Sequence, residues 1–236
     1  MQKRVPAVHF MRRFPTVSEL RFFLSSFWAK SVTNKLLALC VCVFLAQSLN
    51  LFFSAALTLN TAWIREGFWL NFLSYGFLHG GIWHIVLNML ALYFAGNAIE
   101  RYNSGGNVLA LFLGGTLLGG IVWFACVAVF AANPATQTLV GASAGIAALF
   151  AYFSIAYRDS EIRAMLFFVL PVKMRAWLIF AVFAGISVIG FIFSELPSLR
   201  AGVSAPVAVA HSAHLGGLIF GALFALAEER LRERGG

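Results

Sequence analysis

Long apolar stretches alternate along the chain with short polar connections, a pattern typical of membrane-spanning helices. A bilayer core about 30 Å thick is crossed by roughly 20 helical residues, and six stretches approach that length. They cover residues 36–58, 80–99, 107–131, 140–157, 176–194 and 206–227. Pro134, Pro171, Pro197 and Pro206 fall between these stretches or at their edges, where proline does not interrupt a helix. The pattern predicts an all-α polytopic membrane protein with a six-transmembrane-helix bundle.

Two connecting segments have a character of their own. Residues 59–78 carry six aromatic residues and few charges, which is typical of an amphipathic segment lying at the membrane interface. Residues 164–170 are apolar but too short to cross a bilayer, so we expect them to extend the fifth helix or to lie at the surface. The chain divides into a basic N-terminal segment, 1–35, a helical core, 36–228, and a short charged tail, 229–236.

The composition supports the membrane assignment. Apolar residues make up 61% of the chain and charged residues 11%, whereas a soluble domain has about 45–50% and 25%. Twenty-five Phe and six Trp residues are too many to bury in a water-facing domain of 236 residues. The three cysteines, Cys40, Cys42 and Cys126, lie inside apolar stretches and form neither a disulfide framework nor a metal-binding pattern.

The net charge of +8 is distributed asymmetrically. If the N-terminus is cytoplasmic, fifteen of the seventeen Lys and Arg residues fall in cytoplasmic segments, and only Arg65 and Arg200 lie outside. Cytoplasmic loops of membrane proteins carry such an excess of Lys and Arg. We therefore expect both termini in the cytoplasm, with the positive charge facing anionic lipid rather than a nucleic acid.

A few polar residues interrupt the apolar stretches, and such residues are candidates for function in a membrane. They are His79, His84, Asn88, Ser143, His211 and His214. Each has an ordinary alternative: an asparagine can join two helices by a hydrogen bond, and small residues such as Gly141 and Gly145 allow helices to pack closely. All six lie within about three turns of the outer ends of their predicted helices, where they could line one cavity.

The inventory of polar residues limits the hydrolytic chemistry that this cavity could support. An aspartyl mechanism requires two Asp residues, and the chain has only Asp159, in a predicted cytoplasmic loop. The common zinc motif His-Glu-x-x-His is missing from the sequence. A serine activated by a histidine base remains, a pair that functions if the imidazole is held in place. We therefore predict neither a metal nor a cofactor.

Three motifs carry a resemblance to a known family. Residues 141–145 read Gly-Ala-Ser-Ala-Gly, residues 213–221 match Ala-His-x-x-Gly-x-x-x-Gly, and residues 79–88 match His-x₄-His-x₃-Asn. These motifs lie in the fourth, sixth and second predicted helices, respectively. In their residues, their order along the chain and the helices that carry them, they resemble the motifs of the rhomboid family of intramembrane serine proteases. The resemblance covers the predicted six-helix core.

The resemblance implies roles for individual residues. Ser143 would be the nucleophile and His214 the general base, while His84, the Asn88 amide and the Ser143 backbone N–H would bind the oxyanion. Supporting roles would fall to His79, His211, Gly141, Gly217 and Gly221. The substrates would be single-pass transmembrane proteins cut near the outer membrane face, and residues 195–205 would form a lid over the site.

The chain departs from the family pattern at several positions. Ala144 follows the nucleophile where glycine is common, and His211 is an additional histidine. Ala147 stands where many members have an aromatic residue that stacks on the catalytic histidine, so another group must orient His214. The Trp-Arg pair common in the first outer loop is also missing, the nearest sequence being Trp63-Ile64-Arg65.

Two other functions are compatible with a polytopic chain. A non-catalytic rhomboid-like protein would bind membrane helices without cutting them, although such proteins lack the serine, the histidine or both. A small-solute or ion channel could use the histidines as a proton relay. The favoured location is a bacterial inner membrane, and the Arg-rich, acid-poor segment 1–35 makes the mitochondrial inner membrane the alternative. No oligomeric state is predicted.

Overall fold

The computed structural model describes residues 31–50, 54–166, 170–202 and 209–235. Most of them are helical, and six helices have ten or more residues. These are α1 (Val32–Ser48), α4 (Ile82–Tyr102), α5 (Gly105–Phe130), α6 (Ser143–Ala156), α7 (Ala176–Gly190) and α9 (His211–Gly235). Three shorter helices lie between them: α2 (Thr61–Arg65), α3 (Asn71–Ser74) and α8 (Leu196–Arg200).

Three helical segments of the described residues are long and apolar enough to cross a membrane. They are α4, α5 and the continuous helical segment Ala176–Arg200, in which a π-helical turn, Phe191–Glu195, joins α7 to α8. Helices α1 and α6 are apolar but shorter, with 17 and 14 residues. Helix α9 has 25 residues, and its C-terminal part carries charges. That the chain crosses the membrane six times and that both termini are cytoplasmic stay predictions.

The first long helix ends earlier than predicted. The apolar stretch 36–58 predicts a helix through residue 58, but α1 ends at Ser48, and Ser54–Leu57 form a 3₁₀ turn. Asn50 has φ of +53°, and this left-handed conformation stops a helix. Beyond it, the predicted interfacial segment 59–78 contains α2, α3 and a 3₁₀ turn at Tyr75–Phe77.

The predicted helical fold is confirmed in its main part, but the all-α prediction did not include two small antiparallel sheets. Strand β1 (Leu59–Asn60) pairs with β2 (Thr138–Leu139), and β3 (Glu161–Leu166) pairs with β4 (Leu170–Arg175). The segment 164–170 was expected to extend the fifth helix or to lie at the surface. Its residues 164–166 and 170 belong to the second pair of strands, so the helical option is wrong for them, and residues 167–169 lie outside the described residues. Pro171 explains this difference, since proline lacks a backbone N–H and disfavours helix in the residue before it. The helix begins only at Ala176.

Helix α9 also differs from its predicted bounds of 206–227. It begins at His211 and continues to Gly235, so it includes most of the predicted tail, while residues 203–208 lie outside the described residues. In the predicted lid, 195–205, residues 196–200 form α8, and Leu199 is buried in a hydrophobic cluster that includes Trp123 and Val127 of α5. The expected position of Ser204 in the lid falls outside the described residues.

Helix α6 lies at the centre of the bundle and packs against α4, α5, α7 and α9. Nine of its fourteen residues are buried. On the side of α9, Gly217 and Gly221 face the backbone carbonyls of Ala144 and Ala148 so closely that a Cβ at either glycine would overlap them. On the side of α5, a Cβ at Gly119 would lie 2.6 Å from the Cβ of Ala144. Glycine therefore allows three helices to meet almost backbone to backbone.

This packing predicts different effects for two glycine-to-alanine substitutions. Gly217→Ala should lower the stability of the protein by on the order of 1–3 kcal/mol, the usual effect of overpacking a core. Gly185→Ala is the matched control, because a Cβ at Gly185 in α7 meets nothing within 4 Å and alanine favours helix. Thermal unfolding in detergent measures both variants. Equal melting temperatures for the two would contradict the close contact between α6 and α9.

Candidate active site

Ser143 and His214 meet where the first turns of α6 and α9 lie side by side. The Ser143 Oγ and the His214 Nε2 are 2.9 Å apart, within hydrogen-bonding distance, although the residues are 71 positions apart in sequence. His214 is buried with 9% of its surface exposed, and Ser143 is half-buried. The glycine-mediated contact of α6 with α9 makes this approach possible.

The turn that precedes α6 determines the position of Ser143. Gly141 has φ of +122°, a conformation that other residues rarely adopt, and a Cβ there would lie 2.7 Å from the His84 ring. The Gly141 N–H donates to the carbonyl of Tyr75 at 3.0 Å, and the Tyr75 hydroxyl donates to the carbonyl of Thr116 in α5 at 2.7 Å. Ser143 follows as the first residue of α6, where backbone N–H groups have no partner within the helix.

His84 lies in the first turn of α4, with its ring against Gly141. The backbone N–H of Gly80 donates to the His84 Nδ1 at 3.3 Å. In a neutral imidazole the nitrogen that accepts a hydrogen bond carries no proton, so the proton is on Nε2. Since Nε2 is one of the ring atoms next to Gly141, a hydrogen-bond donor is directed towards the turn that carries Ser143.

Asn88 lies one turn further along α4 and is buried. Its Nδ2 donates to the carbonyl of His84 at 2.8 Å, which leaves the second amide N–H available. Asn88 and Ser143 are the polar residues lining a cavity of about 290 Å³ between α4, α6 and α7. The other lining residues are apolar, and they are Leu87, Ala91, Ile146, Phe150, Ile179 and Phe183. The cavity could therefore hold an apolar chain next to the Ser143 hydroxyl.

Two rings contact the imidazole of His214. The Phe183 ring of α7 lies with its centroid 5.4 Å away at an angle of 47°, and the His211 ring lies 5.9 Å away at 83°. The sequence does not indicate which group orients His214 in the place of an aromatic residue at position 147, and Phe183 was not among the predicted site residues. Ala147 itself is completely buried in α6. Because the chain has 25 Phe residues, nothing in the sequence distinguishes Phe183 of α7 from the others.

The two remaining histidines of the predicted site, His79 and His211, lie at its edges. The His79 ring is buried and lies 5.2 Å from the His84 ring, and its nitrogens have no hydrogen-bond partner among the described residues. The His79 backbone is held by Gln47 of α1, whose Nε2 donates to the His79 carbonyl at 3.0 Å. The His211 ring packs against Gly190 of α7. In the described part of the chain, no three His, Cys, Asp or Glu side chains come together as metal ligands.

Comparison with known proteins adds one finding to this geometry. A family model described as a Rhomboid domain matches residues 66–229, more than half of the chain, and this range contains Ser143, His214, His84 and Asn88. A comparison with curated protein sequences finds no match.

The contact between Phe183 and His214 predicts the effect of truncating the aromatic ring. Phe183→Ala should slow the reaction of Ser143 with a fluorophosphonate up to about tenfold, since aromatic ring pairs contribute roughly 0.5–1.5 kcal/mol. Phe183→Tyr should keep most of the rate because it keeps the ring. Phe193→Ala is the control, because Phe193 in the same helical segment is 77% exposed. If Phe183→Ala reacts at the wild-type rate, Phe183 does not orient His214.

Proposed function

Since the chain belongs to the rhomboid family of intramembrane serine proteases, we propose that it is an endopeptidase that uses Ser143 and His214 to cleave single-pass transmembrane proteins. The observation that carries the proposal is the 2.9 Å contact between the Ser143 Oγ and the His214 Nε2. The proposed cleavage position is near the outer membrane face. The proposed location is a bacterial inner membrane, with the mitochondrial inner membrane as the alternative.

The proposed reaction is acyl transfer to Ser143. As the Ser143 Oγ attacks the scissile carbonyl carbon, its proton passes to the His214 Nε2. The tetrahedral intermediate collapses when the C–N bond breaks and the imidazolium donates that proton to the leaving amine. Water then attacks the ester carbonyl while His214 takes one of its protons. The ester C–O bond to Ser143 breaks as the imidazolium returns this proton to the Ser143 Oγ, which releases the second peptide fragment as a carboxylic acid and regenerates the serine and the neutral histidine.

The negative charge of the tetrahedral oxygen would be stabilised by three donors. The Ser143 backbone N–H lies at the N-terminus of α6, where free N–H groups and the helix dipole favour an anion. The His84 Nε2–H and the free amide N–H of Asn88 are the side-chain donors in the proposal. Donors held in position in a site with little water stabilise the transition state without reorganising.

The apolar cavity supports the proposed class of substrate. A transmembrane segment that unwinds next to Ser143 would need an apolar surface for its side chains and polar groups only at the scissile bond. The lining of the 290 Å³ cavity has this composition, with Ser143 and Asn88 as its polar members. The bilayer and the single-pass substrate are the proposed partners.

The direct contact of Ser143 with His214 argues against the two other functions. A non-catalytic relative that binds helices does not need a nucleophile at hydrogen-bonding distance from a base. A channel with a histidine proton relay does not need a serine at the start of a helix. Labelling with a fluorophosphonate distinguishes them, because only the protease should react at Ser143.

The first test removes each member of the proposed pair. Ser143→Ala and His214→Ala should each abolish cleavage of a model single-pass substrate, and the double variant should be no worse, because groups acting as a unit are not additive. Ser154→Ala in the same helix is the matched control, since Ser154 is buried and its hydroxyl has no partner among the described residues. Cleavage by purified Ser143→Ala protein would refute the serine mechanism. EDTA should leave the rate unchanged.

A second test addresses the proposed oxyanion donors. His84→Ala and Asn88→Ala should lower kcat by about 10²–10³ with little change in KM, the usual effect of losing one such donor. Asn97→Ala is the matched control for Asn88→Ala. Asn97 is half-buried on the same helix, and its Nδ2 donates to the carbonyl of Tyr93, four residues earlier, as Asn88 does to His84. If both site variants fold and keep the wild-type kcat, the oxyanion is bound by the Ser143 backbone N–H alone, and His84 and Asn88 are not donors to it.

A further inference from the structure

A buried carboxylate lies next to the first turn of α9. Glu195 is only 5% exposed, and both of its oxygens accept hydrogen bonds from Ser212. The backbone N–H of Ser212 donates to Oε2 at 2.7 Å, and the Ser212 hydroxyl donates to Oε1 at 2.6 Å. Among the described residues, no cation lies within 4 Å of this carboxylate as an ion-pair partner. The Glu195 carboxylate therefore occupies the N-terminus of α9, where the helix dipole stabilises a negative charge.

The π-helical turn brings Glu195 to this position. Ser187 is the last buried residue of α7, and in an uninterrupted α-helix the residues 7 and 11 positions later, Ser194 and Ser198, would face inwards. The structure instead buries Glu195 and Leu199, while Ser194 is exposed. A π turn contains one extra residue, and this shifts the inward face by one position.

Pro197 provides the physical reason for the wider turn. It has no N–H to donate, and its ring collides with the carbonyl four residues earlier in a regular helix. The chain relieves this conflict by a wider turn, in which the Leu196 N–H donates to the Phe191 carbonyl, five residues back. The position of a proline thus determines that a glutamate, and not a serine, faces α9.

The glutamate is well placed to affect His214 through the helix backbone. Ser212 and His214 belong to the same first turn of α9, which begins at His211. The first N–H groups of a helix have no acceptor within it, and the Ser212 N–H has the Glu195 carboxylate instead. The His214 N–H closes the turn by donating to the carbonyl of Ala210 at 3.2 Å. The start of the turn therefore depends on the contact from Glu195. The two bonds from Ser212 to Glu195 join it to the helical segment that also carries Phe183, the ring that contacts His214.

We propose that Glu195 is a positioning residue, which holds the first turn of α9 through Ser212 and thereby keeps the imidazole of His214 at the Ser143 hydroxyl. This inference rests on the proposed protease function, but the clamp itself can be tested without activity. Glu195 does not touch the reacting atoms. The loss of its carboxylate should therefore change the geometry of the Ser143–His214 pair without removing a group that takes part in the reaction.

The experiment uses the full-length protein and two measurements. The first is the rate constant and the final extent of Ser143 labelling by a fluorophosphonate. Glu195→Ala should lower the rate constant by about 10²-fold, the effect of a misplacement of about 1 Å, while the final extent stays equal to that of the wild type. Ser212→Ala removes only the hydroxyl and should lower the rate constant of labelling by about fivefold, the contribution of one hydrogen bond. Glu195→Gln should recover most of the rate, because an amide can bond to both Ser212 groups.

The second measurement is hydrogen exchange in the first turn of α9, which does not depend on activity. Glu195→Ala should increase exchange of the residue 211–214 amides relative to wild type. Glu66→Ala is the control for both measurements, because Glu66 is an exposed carboxylate away from this contact. It should leave rate constant and exchange unchanged.

Each outcome decides one question. A wild-type rate constant in Glu195→Ala overturns the positioning role, as does a lower extent of labelling at an unchanged rate constant, which would mean that Glu195 only stabilises the fold. Unchanged exchange in Glu195→Ala overturns the clamp even if the protein proves not to be a protease. Labelling that persists in Ser143→Ala refutes the proposed function and leaves the exchange measurement to decide on Glu195.

Discussion

The close packing of α6 against α9 is the constraint on which the rest of the structure depends. Two helices with ordinary side chains between them have axes about 8–10 Å apart. Gly217 and Gly221 remove those side chains on α9, and the carbonyls of Ala144 and Ala148 occupy the space. Ser143 and His214 lie at the same end of this contact, so their separation follows from the packing of the two helices. The same glycines that would be ordinary packing residues in any membrane bundle thus determine the geometry of the candidate site.

The sequence predicted the parts of the fold that depend on long apolar stretches and on local motifs. Helices α4 and α5 were predicted within a few residues, because apolar length and the flanking polar residues determine where such helices begin and end. The motifs around Ser143, His214, His84 and Asn88 also predicted that these side chains could line one cavity.

The features that the sequence did not predict depend on single backbone conformations or on tertiary contacts. Asn50 ends α1 inside a continuous apolar stretch, and hydropathy does not reveal a left-handed residue. Glu195 is the first residue of the predicted lid, 195–205, whereas the π turn before Pro197 directs it into the bundle. Phe183 contacts His214 from a different helix, and one phenylalanine among many apolar neighbours has no distinguishing pattern. Each of these depends on how the chain turns or packs, which composition does not encode.

The short length of α6 has a consequence for hydration of the site. Its 14 residues extend about 21 Å, roughly 9 Å less than the thickness of the hydrocarbon core. A helix this short facing lipid would force the bilayer to thin around it, but α6 is enclosed by α4, α5, α7 and α9. In a membrane the mismatch would therefore be accommodated inside the protein, as space at one end of α6. Water in that space would solvate the polar first turn of α6 without contact with the lipid tails.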